Sequence, residues 1–254
     1  MARARTTLVV QNTIQLTDHL IRVHLGGPGF AAFQPNGFTD AYVKLVFPGA
    51  DGEIMRTYTV RSVDPAAQEI AIDFVYHGDE GVAGPWAAAA EPGDTIDVMG
   101  PGGAYSPRPD ADWHLLAGDE SALPAIAAAC GALPLDAVGR VFVEIAGPTD
   151  ELTFQRPEGV ELTWIHRGDA EPGEKLADAV LAEPWREGQV QVFVHGEAQA
   201  VMHRIRPYIR KERGIPAEWA SSISGYWRRG RTEEGFRQWK SDLAEREKAA
   251  PAGV

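Results

Sequence analysis

Over roughly the first hundred residues, apolar and polar positions alternate in short runs punctuated by Gly, Pro and Asp. The run Glu69 to His77 is the strictest. Ile70, Ile72, Phe74 and Tyr76 point one way, and Ala71, Asp73, Val75 and His77 the other. The same period, with β-branched and aromatic residues, predicts strands over Leu8 to Gln15, Leu20 to Leu25, Tyr42 to Phe47, Met55 to Ser62 and Thr95 to Met99. Only Gly84 to Ala90 reads as a short helix. Six strands spaced in this way predict a small antiparallel barrel or sandwich.

Near Ser106-Pro107-Arg108-Pro109 the pattern changes, which divides the chain into residues 1–110 and 111–254. Strands are now predicted at Trp113 to Ala117, Val141 to Ala146, Leu162 to His166, Gln189 to His195 and Ala220 to Tyr226. Between them lie helical stretches at Leu123 to Ala132, Lys175 to Leu181 and Ala198 to Arg213. Buried strands alternating with amphipathic helices describe a doubly wound parallel sheet. Pro207 is expected to kink or split the last of these helices unless it opens a new first turn. Thr232 to Lys248 reads as a polar helix with a narrow stripe of Phe236, Trp239 and Leu243.

Composition narrows the class. The 254 residues are 44% hydrophobic, which can offset the entropy of ordering two ordinary domains and excludes a disordered chain. A net charge of -12 excludes a protein that coats nucleic acid. The charge is uneven: residues 1–200 hold 12 Lys+Arg and 29 Asp+Glu (-17), and residues 201–254 hold 12 and 7 (+5). Cys130 is the single cysteine, which rules out an intrachain disulfide, a zinc–thiolate cluster or a protein-held iron–sulfur centre. It lies in an apolar run and is expected to be buried and inert. No stretch approaches the ~20 apolar residues of a membrane span, and the start lacks a signal-peptide core. A cytoplasmic protein is expected.

Candidate chemistry lies first in Arg56-Thr57-Tyr58-Thr59-Val60-Arg61. One strand there supplies an aromatic ring, hydroxyls and cations, the side-chain types a flavin dinucleotide needs. A barrel strand with exposed arginines satisfies the same pattern. His77-Gly78 leading to Gly84-Pro85-Trp86-Ala87 fits a helix opening that presents N–H groups to phosphate, or a plain Pro-initiated helix. Asp119-Glu120-Ser121 falls at the carboxyl end of the first strand of the second domain, where open α/β sheets bind ligands. A capped helix explains these residues equally. No Gly-x-Gly-x-x-Gly occurs, and the histidine spacings resemble no metal cage.

In order along the chain, these motifs resemble those of the siderophore-interacting proteins, FAD-containing ferric-siderophore reductases of the ferredoxin-reductase-like flavoprotein superfamily. The resemblance rests on Arg56-x-Tyr58-Thr59-Val60-Arg61, the His77-Gly78…Gly84-Pro85-x-Ala87 block, Gly100-Pro101-x-Gly103, Asp119 to Ile126 and Gly225-Tyr226-Trp227-Arg228-x-Gly230. It covers residues 8 to 240 or so. It implies a six-stranded FAD-binding barrel followed by an NAD(P)H-binding-like domain.

By that resemblance Arg56 meets the FAD pyrophosphate, Tyr58 packs on the flavin ring and Thr59 hydrogen-bonds near its N5. Asp73, Val75 and His77 border the ring or ribityl chain. Gly84, Trp86 and Ala87 belong to the helix that receives the diphosphate. The family's usual Gly-Pro-Ala-Ser is replaced here by Gly84-Pro85, so a serine hydrogen bond to phosphate is in question. A nicotinamide cofactor is expected near Asp119, Ser121, Ala122, Pro124 and Trp227. Hydride would enter FAD from NADH or NADPH, or electrons from reduced ferredoxin, and single electrons would leave for chelated Fe(III). The flavin carries the chemistry, so no catalytic side chain or protein-held metal is expected. Lys44, Arg228, Arg229 and Arg231 are expected to hold the anionic ferric siderophore, although a solvated turn accounts for the arginines too. A monomer is expected. Two competing functions remain at this point: a flavin reductase serving a protein partner, and a siderophore-binding module without catalysis.

Overall fold

The computed structural model describes residues 5–50 and 52–231, together with Gly235, Phe236, Gln238, Trp239 and Asp242. The first domain contains β1 (Arg5–Thr17), β2 (Leu20–Gly26), β3 (Tyr42–Gly49), β4 (Gly52–Thr59), β5 (Ser62–Asp64), β6 (Glu69–Val75) and β7 (Thr95–Gly102). Their order in the sheet is β4-β3-β7-β1-β2-β6-β5, antiparallel throughout. β4 and β5 are two halves of one bent run. Val60 N–H still bonds Ala41 O on the β3 side (2.7 Å), whereas Arg61 N–H bonds Ala71 O on β6 (2.8 Å). The two ends of the sheet are thus one continuous piece of chain, which closes a six-stranded barrel. The predicted single strand from Met55 to Ser62 contains this bend.

Alternation decides what fills the barrel. Leu8, Val23, Leu45, Ile70, Ile72, Phe74 and Val98 form its core, and α1 (Ala83–Ala89) adds Ala83 and Ala87 to it. The other face of β6 is buried as well: Ala71 is 2% and Asp73 5% exposed, because neighbouring elements cover that side of the barrel.

The second domain contains β8 (Trp113–Asp119), α2 (Leu123–Ala132), β9 (Gly139–Ile145), β10 (Val160–His166), α3 (Glu174–Ala182), β11 (Val190–Glu197), α4 (Ala198–Ala200) and β12 (Ser222–Trp227). The strands run parallel in the order β10-β9-β8-β11-β12. Chain order reverses between β8 and β11, so the crevice beyond their carboxyl ends is the topological switch point. α2 packs with Leu116, Val143 and Phe193 on one face, and α3 and the helix after β11 pack with Leu115, Val192 and Val194 on the other. The sheet is doubly wound, as expected. Leu20 and Tyr105 join the α2 side, so barrel and sheet share one packed layer.

Pro207 does not split its helix. α4 continues in wide turns over Val201–Ile205 and Tyr208–Glu212. Arg206 N–H bonds Val201 O and Arg213 N–H bonds Tyr208 O, five residues back. Wide turns on both sides absorb the proline's missing donor without ending the helix. Cys130 is buried (1% exposed), and burial pushes its thiol up to about 12. Of the expected C-terminal helix, Phe236 and Trp239 are described and helical; Leu243 and most of that stretch lie outside the described residues. No helix among the described residues is long and apolar enough to cross a membrane.

Candidate functional site

A cleft of about 920 Å³ separates the outer surface of the barrel from the carboxyl ends of the parallel strands. That volume suits a dinucleotide-sized ligand. On the barrel side it is lined by Lys44, by Arg56 to Thr59, and by Asp73, Val75 and His77. The β3–β4 register explains the grouping: Lys44 lies opposite Thr57, and Tyr42 opposite Thr59. Tyr58 leans on the core, its ring centroid 4.5 Å from that of Phe74. Asp73 is fixed by a two-point pair with Arg22 across the β2–β6 ladder, Nε to Oδ1 at 2.6 Å and Nη2 to Oδ2 at 2.8 Å. Burial, with His19 beside it, holds the His77 imidazole below its usual range.

Opposite stands a wall from the second domain: Glu120, Ser121, Pro124, Arg167, His195 and the segment Ser224 to Arg228, with Arg231 and Phe236. A hydrogen bond between the Thr59 and Tyr226 hydroxyls ties the two walls together. The Tyr226 ring lies against His195, centroids 4.3 Å apart, and burial raises its phenol.

Asp119 organises this wall from below. It is 1% exposed and accepts hydrogen bonds from Ser121 N–H and Oγ–H, from Glu197 N–H (2.8 Å) and from Trp227 Nε1–H (2.8 Å). Those donors come from the ends of three strands, so one carboxylate fixes the switch point. Burial, then the nearby Glu120 charge, pushes its pKa up to about 6 against these donors. Gly196 makes the arrangement possible: at φ +144° its Cα passes so close that a Cβ would stand 2.7 Å from Asp119 Oδ2.

Several expected site residues are not among the lining of this cleft. Asp119 and Ala122 are buried behind the wall rather than on it. Trp86 is partly buried and packs against the barrel core, 5.7 Å from Phe47 and 5.6 Å from Phe74 between ring centroids. Ala87 is fully buried, and Gly84 lies inside the first turn of α1, which opens at Ala83. A Cβ on Gly84 would stand 3.1 Å from Val75 O, so any side chain there would crowd β6. Arg229 is not among the lining residues of the cleft; its side chain is exposed and paired with Glu171.

The sequence profile of the siderophore-interacting protein matches residues 111–230, and that of the siderophore-interacting FAD-binding domain matches residues 9–54 and 48–105. The chain belongs to this family. An uncharacterized protein of Mycobacterium tuberculosis is 55% identical over 92% of this chain and 94% of its own. The ferric vibriobactin reductase ViuB of Vibrio cholerae is 32% identical over 88% and 89%. The crystal structure of a siderophore utilization protein from T. fusca superposes with a TM-score of 0.83 at 37% identity, covering 91% of this chain and 95% of that one.

Siderophore-interacting proteins pair an FAD-binding domain with the second domain, and the present cleft lies where the two matched regions face each other. Among its described lining residues, five cations (Lys44, Arg56, Arg167, Arg228, Arg231) stand against three carboxylates (Asp40, Asp73, Glu120). The cleft is thus positive in a chain of net charge -12. Sequence patterns single out neither Glu120 nor Arg167 as a site residue. Glu120 stands inside the Asp119 motif, but Arg167 follows β10 with no motif around it.

Proposed function

We propose that this chain is an FAD-dependent ferric-siderophore reductase of the cytoplasm, taking electrons from NADH or NADPH, with reduced ferredoxin as the alternative donor. One observation carries the reading: a positive cleft places the Arg56 to Thr59 strand opposite the Ser224 to Arg228 strand end. The ferric reductase among its relatives supports the same chemistry. So does an NADPH-dependent ferric-chelate reductase of Escherichia coli, 36% identical over 47% of this chain.

The donor set fits FAD. Tyr58 offers a ring braced by Phe74, Thr57 and Thr59 offer hydroxyls, and Arg56 offers a cation for the pyrophosphate. Bound there, FAD would supply the means to take two electrons from a hydride donor and release them singly to Fe(III). The protein's own groups do the rest. Lys44, Arg228 and Arg231 attract and hold an anionic ferric chelate against the flavin wall, while the acidic exterior disfavours larger polyanions. Asp119 keeps Ser121 and Trp227 in place, and the neutral His77 adds no charge to the barrel wall. Siderophores hold Fe(II) far more weakly than Fe(III), so reduction frees the metal.

Reconstitution tests the reading. The purified protein is expected to take up FAD, turn yellow, bleach under NADH or NADPH and produce Fe(II) from a ferric catecholate. A colourless protein that takes up no FAD would remove it.

A further inference from the structure

Glu120 follows directly on β8, at the switch point where the strand order reverses. It forms part of the cleft wall yet is only 8% exposed. Its Oε2 accepts a hydrogen bond from Arg167 Nη1 at 3.1 Å. Its Oε1 is buried and has no hydrogen-bond partner among the described residues. Buried carboxylate oxygens normally have a donor, and an orphan needs a cause. The neighbouring acid, Asp119, shows the contrast: its oxygens are met by backbone, hydroxyl and indole donors.

We propose that Glu120 Oε1 is the acceptor that this wall offers to the carboxamide N–H of a reduced pyridine dinucleotide. The proposal rests on the flavin-reductase reading. Three observations carry it. First, Glu120 stands on the wall facing Tyr58 and Thr59, so a donor ring placed for hydride transfer to a flavin on the barrel lies between them. Second, Arg167 holds Oε2 and offsets its charge, while Glu144 and Asp119 keep the surroundings acidic, so the free lone pair of Oε1 faces no cation among the described residues. That suits a neutral N–H donor, and it disfavours a phosphate at this point. Third, Glu120 keeps some exposure at the wall, so a small shift of its whole side chain brings Oε1 to the cleft while the long Arg167 side chain follows Oε2. Glu120 is a positioning residue for the donor ring.

Glu120→Gln tests this without changing shape. Arg167 can only donate, so the single amide oxygen must face it, and the amide N–H₂ then occupies the place of Oε1. An acceptor becomes a donor at the one point that matters. In the FAD-loaded protein, flavin bleaching by NADH or NADPH is expected to lose about ten- to hundredfold in kcat/KM, mainly through KM. FAD affinity, and Fe(II) release from a ferric catecholate by the photoreduced protein, should stay within about twofold. The wild-type protein should show a similar loss with reduced 3-acetylpyridine adenine dinucleotide, which lacks the amide N–H. E120Q should add nothing to that loss, because both changes remove one contact. If E120Q folds poorly, the wild-type KM for the analogue carries the test, because its weaker hydride donation acts on kcat and the missing N–H on KM.

An unchanged bleaching rate, or additive losses in the two arms, overturns the proposal. So does a parallel fall in FAD affinity, which would assign the oxygen to the flavin or to the fold. If neither NADH nor NADPH bleaches the wild type while the photoreduced protein still reduces the chelate, the donor contact is overturned and the reductase reading survives.

Discussion

Gly196→Ala perturbs the switch point at its tightest place. The new Cβ would stand 2.7 Å from Asp119 Oδ2 and 2.9 Å from its Cγ, and the backbone there has φ +144°. Holding a non-glycine residue in such a conformation costs about 1–3 kcal/mol. Moving the carboxylate aside breaks its bonds from Glu197 N–H and Trp227 Nε1–H, both 2.8 Å long. Each buried donor left unsatisfied adds about 1–3 kcal/mol, and partial relaxation returns some of that. A loss of about 4 kcal/mol follows, a large share of the roughly 5–15 kcal/mol that holds a domain folded. Equilibrium urea unfolding of the apo protein at neutral pH, followed by tryptophan emission, measures it. The barrel wall does not rest on Gly196, so FAD affinity per folded molecule should barely change. A stability change below about 1 kcal/mol would refute the claim that Asp119 is the keystone of this wall.

Three further outcomes follow from the same geometry. Lys44→Glu and Arg228→Glu should each raise KM for a ferric catecholate by about tenfold or more, while Arg229→Glu, whose side chain faces Glu171 outside the cleft, should leave it within twofold; steady-state assays on all three decide. Arg22→Leu leaves Asp73, whose side chain is 2% exposed, as an unpaired buried charge, and should cost about 3–5 kcal/mol in urea unfolding and weaken FAD binding. His77 has a folded pKa below 6.5, so the unfolded chain binds more protons near and below that pH. Its contribution to stability is therefore present above pH 6.5 and lost as pH falls through that region. His77→Gln should remove that part of the slope between pH 5 and 7, and parallel slopes for the two proteins would contradict the assignment.

The barrel is largely legible in the sequence because one face of each strand must be apolar. Ile70, Ile72 and Phe74 mark β6 and its inward face by their alternation alone. The bend at Val60 and Arg61 is not legible, since no glycine or proline marks it and only pairing with both Ala41 and Ala71 creates it. Pro207 misleads for a related reason: local propensity predicts a break, but packing of Ile205, Tyr208 and Ile209 keeps the helix running through wide turns. At the site, the strand carrying Arg56 to Thr59 and the segment carrying Tyr226 to Arg228 are readable as motifs and do meet in one cleft. Trp86 sits in a motif that suggests a cofactor neighbour; its ring packs against the barrel core, partly buried and outside the cleft lining. Glu120 and Arg167 meet only because β10, β9 and β8 stand side by side, a strand order that residue patterns do not contain.

Electron transfer from flavin to chelated iron is tested most directly by one measurement. The FAD-loaded protein is photoreduced without oxygen and mixed with a ferric catecholate in the presence of an Fe(II) trap. Flavin colour should return as Fe(II) appears, at a rate that saturates with chelate and loses its saturation in the Lys44→Glu and Arg228→Glu proteins. Reduced flavin that persists beside intact ferric chelate, with no Fe(II) trapped, would contradict it.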